Sequence, residues 1–153
     1  MSDIKSDMSP TMRLSKLMAE MHYYYAKELI DRLGPDKGKE AVRHALKCMA
    51  DSRVEAMKRD ALEKGMPENG SVTYKKIKDF PTPDWHRDAQ GVVSYCPMAE
   101  TWKTHDDGIE IGGLYCTIDY DLYEGFGMEL TRPECLGNGD ACCRFQPKEK
   151  QPD

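Results

Sequence analysis

From Pro10 onward, apolar side chains return at intervals of three and four: Leu14, Leu17, Met18, Met21 and Tyr25. That spacing puts them on one face of a helix. Ser9-Pro10 ahead of them supplies a hydroxyl cap and a proline for the first turn, and Gly34-Pro35 ends the run. A second helix is predicted from about residue 36 to about residue 63, with Val42, Ala45, Leu46 and Met49 on its buried face and Gly65-Met66-Pro67 beyond its end. The two form an antiparallel helical hairpin over residues 9–64.

Near Gly70 the period changes. In "SVTYKKIKDF", Val72, Tyr74 and, less cleanly, Ile77 alternate with polar residues, which predicts a strand. "FPTPDWHRDAQ" reads as a loop and "GVVSYC" as a second strand. "PMAETWKTHDD" opens on proline and reads as a short helix. "GLYCTIDYDLYEGF" reads as another, closed by Gly125. "GMELTR" and "CCRFQP" are predicted strands around the turn Gly137-Asn138-Gly139-Asp140. The expected class is α+β: an N-terminal helical hairpin packed on a small antiparallel sheet of about four strands, with two inserted short helices. One domain is expected over residues 1–153, with sheet, inserted helices and cysteine-rich hairpin in residues 70–147.

Composition narrows the function. The 153 residues are 39% hydrophobic and 32% charged, a globular chain with a well-solvated surface. A net charge of −5 lends no support to a nucleic-acid partner. No apolar run reaches membrane-spanning length, and "MSDIKSDMSP" lacks the apolar core of an export signal. A cytoplasmic location is expected, where thiols stay reduced. The six cysteines therefore read as free thiols, metal ligands or catalytic groups ahead of a disulfide framework. The expected partner is a small-molecule substrate, neither nucleic acid nor membrane, and self-association into a homo-oligomer is left open.

Two stretches carry candidate chemistry. Cys116, Asp119, Tyr120 and Tyr123 stand at i, i+3, i+4 and i+7, on one helix face. Leu114, Ile118 and Leu122 form an apolar stripe beside them. The helix can anchor by that stripe and turn a thiol, a carboxylate and two phenols into a cavity; the alternative is a half-buried helix whose cysteine is a small hydrophobe. In "PECLGNGDACCRF", Cys142 and Cys143 must point to opposite faces of a strand, and a hairpin can bring Cys135 to Cys143. Two such thiolates are half of a zinc site, for which Cys116 and Asp119 are the natural further donors; the alternative is a hairpin with one buried cysteine. Adjacent Cys142 and Cys143 are too close along the chain for an ordinary disulfide. His86, in the proline-flanked loop, and His105, at the end of "AETWKTH", are candidates for a pocket border, whereas His22 and His44 read as structural or surface residues. No phosphate-cradling glycine motif and no GxSxG elbow is present.

"YCPMAETW", "GGLYCTIDYDLYEGF" and "LTRPECLGNGDACCRF" follow one another in an order that resembles the L-2-amino-thiazoline-4-carboxylic acid hydrolase family. The shared pattern is a Cys-Pro pair (Cys96-Pro97), a Cys-x-x-Asp helix (Cys116, Asp119) and a closing Gly-Asp-x-x-Cys-x-Phe (Gly139, Asp140, Cys143, Phe145). The resemblance covers about residues 91–145 and extends loosely into "GKEAVRHALKCMADSRVEAMKR". It implies a hydrolase that opens a small sulfur and nitrogen heterocycle to an N-carbamoyl-cysteine. Cys116 and Asp119 would be catalytic, with Tyr120, Tyr123, Cys96, His86, His105 and Arg132 around the substrate. The family is also similar to small-molecule-binding domains of the vinyl-reductase type, some of which hold zinc in a closing cysteine hairpin. That implies the alternative of a non-catalytic binding domain with a metal on Cys135, Cys143 and Cys116. A sensor usually carries an output domain, for which this length leaves no room, and that favours the enzyme.

Opening the ring adds water at the amidine carbon and expels a thiolate, so a nucleophile, a base and an acid or cation are required. Either Cys116 attacks with a lowered pKa or a metal-bound hydroxide does. A carboxylate beside a thiol raises its pKa, so the first route requires a cation near Cys116, for which His86, His105 and Arg132 are the candidates. No cofactor is demanded, and zinc is the candidate metal.

Overall fold

A computed structural model describes residues 2–151. Helix α1 (Pro10–Leu33) and helix α2 (Pro35–Glu63) form the N-terminal hairpin. The Ser9 hydroxyl accepts the Met12 N–H at 3.0 Å, capping α1. Gly34, at φ +85°, breaks the helix while its N–H still donates to the Ile30 carbonyl at 2.9 Å. Pro35 then opens α2 at a position that needs no N–H donor. Four further helices follow the hairpin: α3 (Ser71–Ile77), α4 (Pro97–Trp102), α5 (Gly108–Gly112) and α6 (Ile118–Gly125). A 3-10 turn, Gly113–Thr117, leads directly into α6. Among the described residues there are four short strands, β1 (His86–Arg87), β2 (Val93–Tyr95), β3 (Met128–Thr131) and β4 (Gln146–Glu149), and a second 3-10 turn, Leu136–Asn138. Among the described residues no helix is long and apolar enough to cross a membrane.

The class is α+β. Its strands, however, form two antiparallel ribbons, β1 with β2 and β3 with β4, rather than one sheet of four. An isolated bridge pairs Val93 of β2 with Cys143, which lies before β4. The hairpin lies mainly on α4, α5 and α6. "SVTYKKI" is helix, not strand: Thr73, Tyr74 and Ile77 are its buried residues, a helical spacing, whereas Val72 is 66% exposed. "CCRFQP" forms no continuous strand either. Cys143 makes the bridge to Val93, and pairing resumes at Gln146.

α1 is buried through a different face from the one its large apolar residues suggest. Ser15, Lys16, Ala19, Glu20, Tyr23 and Ala26 point inward, while Leu17 and Tyr25 are 57% and 69% exposed, and Leu14 and Met21 are exposed too. The small residues win because neighbours come close there. Trp102, with no exposed surface, lies against α1 and donates its indole N–H to the Ala19 carbonyl at 3.0 Å. The polar residues on that face are paired: Lys16 with Asp3 at 2.9 Å, Tyr23 with Asp107 at 2.6 Å and Glu20 with His105 at 3.3 Å. On α2, Val42 and Leu46 are buried together with Ala50, Met57 and Ala61, but Ala45 and Met49 face outward. Gly38 lets the helices touch: a methyl group there would overlap the Ile30 backbone.

His22 sits between α1 and the second half of the chain, edge-on to Tyr115 at 5.3 Å and to Trp102 at 6.0 Å. Burial pushes its pKa down from 6.5 to about 4. In the unfolded chain the imidazole takes its proton near 6.5, in the folded chain only near 4, so stability is lost as pH falls through that window. The acid loss is expected to shrink by up to about 3 kcal/mol in His22→Gln. Urea unfolding of both proteins at several pH values between neutral and mildly acid reads it, and an unchanged acid slope in the variant would refute it.

Candidate functional site

A cavity of about 600 Å³ opens between α3, the β1–β2 ribbon, the start of α4 and the Cys116 turn with α6. Cys116 comes from the 3-10 turn, Asp119 and Tyr123 from α6, Cys96 from the residue capping α4, and Cys143 and Phe145 from the segment before β4.

Arg132, directly after β3, organises one wall. Its Nη1 donates to Asp119 Oδ2 at 2.6 Å and its Nη2 to the Cys116 carbonyl at 2.9 Å. The guanidinium is held between the rings of Tyr120, at 5.1 Å, and Phe145, at 5.5 Å. The Arg132 side chain is only 4% exposed, and its Nε is buried without a hydrogen-bond partner. Asp119 keeps 28% of its side chain exposed, and among the described residues its other oxygen makes no hydrogen bond. Burial raises the Asp119 carboxyl above its ordinary value, against the pull of Arg132 and Lys78.

Behind Cys116 lie two further thiols. The completely buried Cys135 is lowered below the ordinary thiol range by its neighbours Cys116 and Cys143, with Arg132 and the Gly137 backbone acting in the same direction. The same coupling, with burial, pushes Cys116 and Cys143 well above that range. The segments that carry them come together because two backbones nearly touch. A methyl group on Gly113 would overlap the Gly137 carbonyl, and one on Gly137 would overlap the Cys116 sulfur. Cys143 is fixed by two backbone hydrogen bonds with Val93, at 3.0 and 2.8 Å, and its sulfur accepts the Leu136 N–H at 3.1 Å.

The zinc expectation for Cys135, Cys143 and Cys116 does not fit this arrangement. Among the described residues no three His, Cys, Asp or Glu side chains converge as a metal-holding group. The nearby carboxylate is turned to Arg132.

Of the expected pocket residues, Cys96, Cys116, Asp119, Tyr123 and Arg132 line the cavity, and Cys143 joins them. His86, His105 and Tyr120 do not. His86 lies on the exposed ribbon, stacked on Tyr95 at 4.6 Å. His105 lies beyond α4, stacked on Tyr23 at 3.9 Å and paired with Glu20. Tyr120 is 41% exposed and covers Arg132 from outside. Cys142 turns the other way from Cys143 and donates to Glu134 at 3.4 Å. The cation beside Cys116 is Arg132. Sequence reasoning missed Tyr74 and Lys78, because α3 reads as a strand, and it missed Arg53, Arg87 and Tyr115 on the same walls. Burial raises the Tyr115 and Tyr123 phenols to about 12, so both stay protonated donors.

A family model described as L-2-amino-thiazoline-4-carboxylic acid hydrolase matches residues 15–146. No curated protein and no solved structure matches the chain.

Gly137→Ala tests the coupling of these thiols. The added methyl group must displace the Cys116 sulfur, at a cost of about 1–3 kcal/mol in stability. Released from Cys135, the Cys116 thiol is expected to ionise more easily and to alkylate faster than in the parent, with Cys48 as the exposed reference. Peptide mapping after a timed pulse of iodoacetamide measures it. Unchanged stability with unchanged Cys116 labelling would show that Gly137 does not hold the thiol.

Proposed function

We propose a reaction for a chain that belongs to the L-2-amino-thiazoline-4-carboxylic acid hydrolase family: it opens a small carboxylated 2-amino-thiazoline by adding water at the amidine carbon, giving an N-carbamoyl-cysteine. The family name is that of a hydrolase. The observation that carries the reading is Cys116 at the cavity wall with the Arg132 guanidinium fixed beside it by Asp119.

The Cys116 sulfur attacks the amidine carbon as its proton passes to the Cys135 sulfur, the one already favoured to carry negative charge. The bond between that carbon and the ring sulfur breaks, and the departing sulfur takes the proton held by Cys135. The opened substrate is now bound to Cys116 as an isothiourea. Water adds to the same carbon, and the bond to Cys116 breaks. One water proton ends on the former ring nitrogen, the other on Cys116, and the oxygen becomes that of the product urea. Arg132 offsets the anionic sulfur throughout. The oxygen of Asp119 not engaged by Arg132 holds the amidinium of the substrate. Tyr115 and Tyr123 supply phenol donors to the nitrogen and oxygen atoms of the adduct.

Cys116→Ser is expected to abolish turnover, because a serine hydroxyl lacks both the nucleophilicity and the exchange with Cys135. Asp119→Asn keeps the shape and removes the charge, and is expected to lower kcat by roughly a hundredfold or more. Cys142→Ser and Cys48→Ser, away from the cavity, are expected to stay within about twofold of the parent. Turnover of 2-amino-thiazoline-4-carboxylate would be followed for all five proteins, with folding checked by circular dichroism. Full activity in folded Cys116→Ser would remove this reading. Binding without turnover by the parent would put a ligand-binding domain in its place.

A further inference from the structure

The cavity wall is strongly unbalanced in charge. Arg53, Lys75, Lys78, Arg87 and Arg132 line it, against the single carboxylate of Asp119. Two of these cations are neutralised within the protein. Arg53 makes a two-pronged contact with Asp79, at 2.7 and 2.8 Å, and Arg132 is paired with Asp119. Lys75, Lys78 and Arg87 are not, among the described residues. Among the described residues, Lys78 makes no ion pair and no side-chain hydrogen bond; its ammonium stands 5.5 Å above the Tyr74 ring. Among the described residues the guanidinium of Arg87 makes a single hydrogen bond, to the Thr82 hydroxyl at 3.3 Å.

We propose that Lys78 and Arg87 form an anion subsite that takes the carboxylate of the ligand, and that this contact selects carboxylated ring compounds over uncharged ones. Identifying the anion as the carboxylate of a thiazoline rests on the hydrolase reading above. The unpaired cations in the cavity stand independently of it.

Three features support the pairing. Lys78 closes α3 and Arg87 belongs to β1, so the subsite spans the cavity from a helix end to a ribbon. The two cations repel each other, and loss of water at the cavity wall together with Arg87 lowers the pKa of Lys78. An anion between them relieves both effects. Lys78 and Asp119 also feel each other's charge. A small ligand can therefore present a carboxylate to Lys78 and a cationic amidine to Asp119, in the one orientation that matches charge at both ends.

Isothermal titration of 2-amino-thiazoline-4-carboxylate and of its 4-carboxamide into the Cys116→Ser protein, the parent of this series, and into the same protein carrying Lys78→Met, Lys78→Arg or Arg87→Gln tests the subsite without relying on catalysis. The parent is expected to bind the acid at least tenfold more tightly than the amide. Lys78→Met should weaken the acid roughly 10- to 100-fold, the range of a charge-assisted contact, and leave the amide within about twofold. Lys78→Arg should restore most of the difference, and Arg87→Gln should remove part of it. Equal binding of acid and amide by the parent overturns the proposal. So does an equal loss of both ligands in Lys78→Met, which marks a purely structural role, or no measurable binding of the acid to the parent. Turnover is assayed separately on the unsubstituted protein: tight, Lys78-dependent binding of an acid that it never hydrolyses removes the ring-opening reaction and leaves the subsite standing.

Discussion

A buried guanidinium has to be answered from several directions, and the architecture around Arg132 is that answer. One nitrogen is taken by Asp119, one by the carbonyl of Cys116, and the faces by Tyr120 and Phe145. Cys116, Asp119 and Tyr120 come from the turn leading into α6 and from its first residues, and Phe145 from the segment before β4. Arg132 therefore ties the Cys116 turn and α6 to the exit of β3, and through it to the cysteine-rich loop. Breaking such a pair by removing one partner usually costs about 3–5 kcal/mol, because the other charge stays buried alone. The ion pair is less a source of stability than a constraint on geometry: Cys116, Asp119 and the loop of Cys135 keep a fixed relation as long as it is satisfied.

Close backbone approach does the rest. Gly113 and Gly137 have no side chains to separate the turn from the loop, and Val93 holds Cys143 by both of its backbone groups. Cys116, Cys135 and Cys143 then shift one another's ionisation, Cys135 downward and the other two upward. An aspartate alone would hold the proton on the Cys116 thiol. In the proposed reaction Arg132 and the Cys135 sulfur would offset that effect and let Cys116 act as the nucleophile.

The helical hairpin is legible in the sequence because Ser9-Pro10 and Gly34-Pro35 act locally, through caps and fixed dihedrals. Which face of α1 is buried is not. Leu17 and Tyr25 have the right spacing but face outward, since the tight fit of Trp102 on Ala19 selects small residues for the contact. The α3 segment misleads because seven residues with Val72, Tyr74 and Ile77 satisfy a two-residue and a helical period almost equally well. That ambiguity hides Lys78 and Tyr74 from the site. Cys116 and Asp119 can be singled out because three residues on a helical turn are local information. The membership of Arg132 and Tyr115, and the absence of His86 and His105, depend on how distant elements pack. A 3-10 turn before α6 also shifts the expected face, leaving Tyr123 at the cavity and Tyr120 over the arginine.

The central claim is that the reacting atom is the Cys116 sulfur, although Cys96 and Cys143 face the same cavity. Acid quenching during turnover of 2-amino-thiazoline-4-carboxylate, followed by intact-mass measurement and peptide mapping, addresses it directly. Ring opening on the enzyme expels no fragment, so the expected species is heavier than the free protein by one whole substrate, and the added mass maps to Cys116. Product formation with the added mass on Cys96 or Cys143, or with none on any cysteine at every quench time, would contradict it.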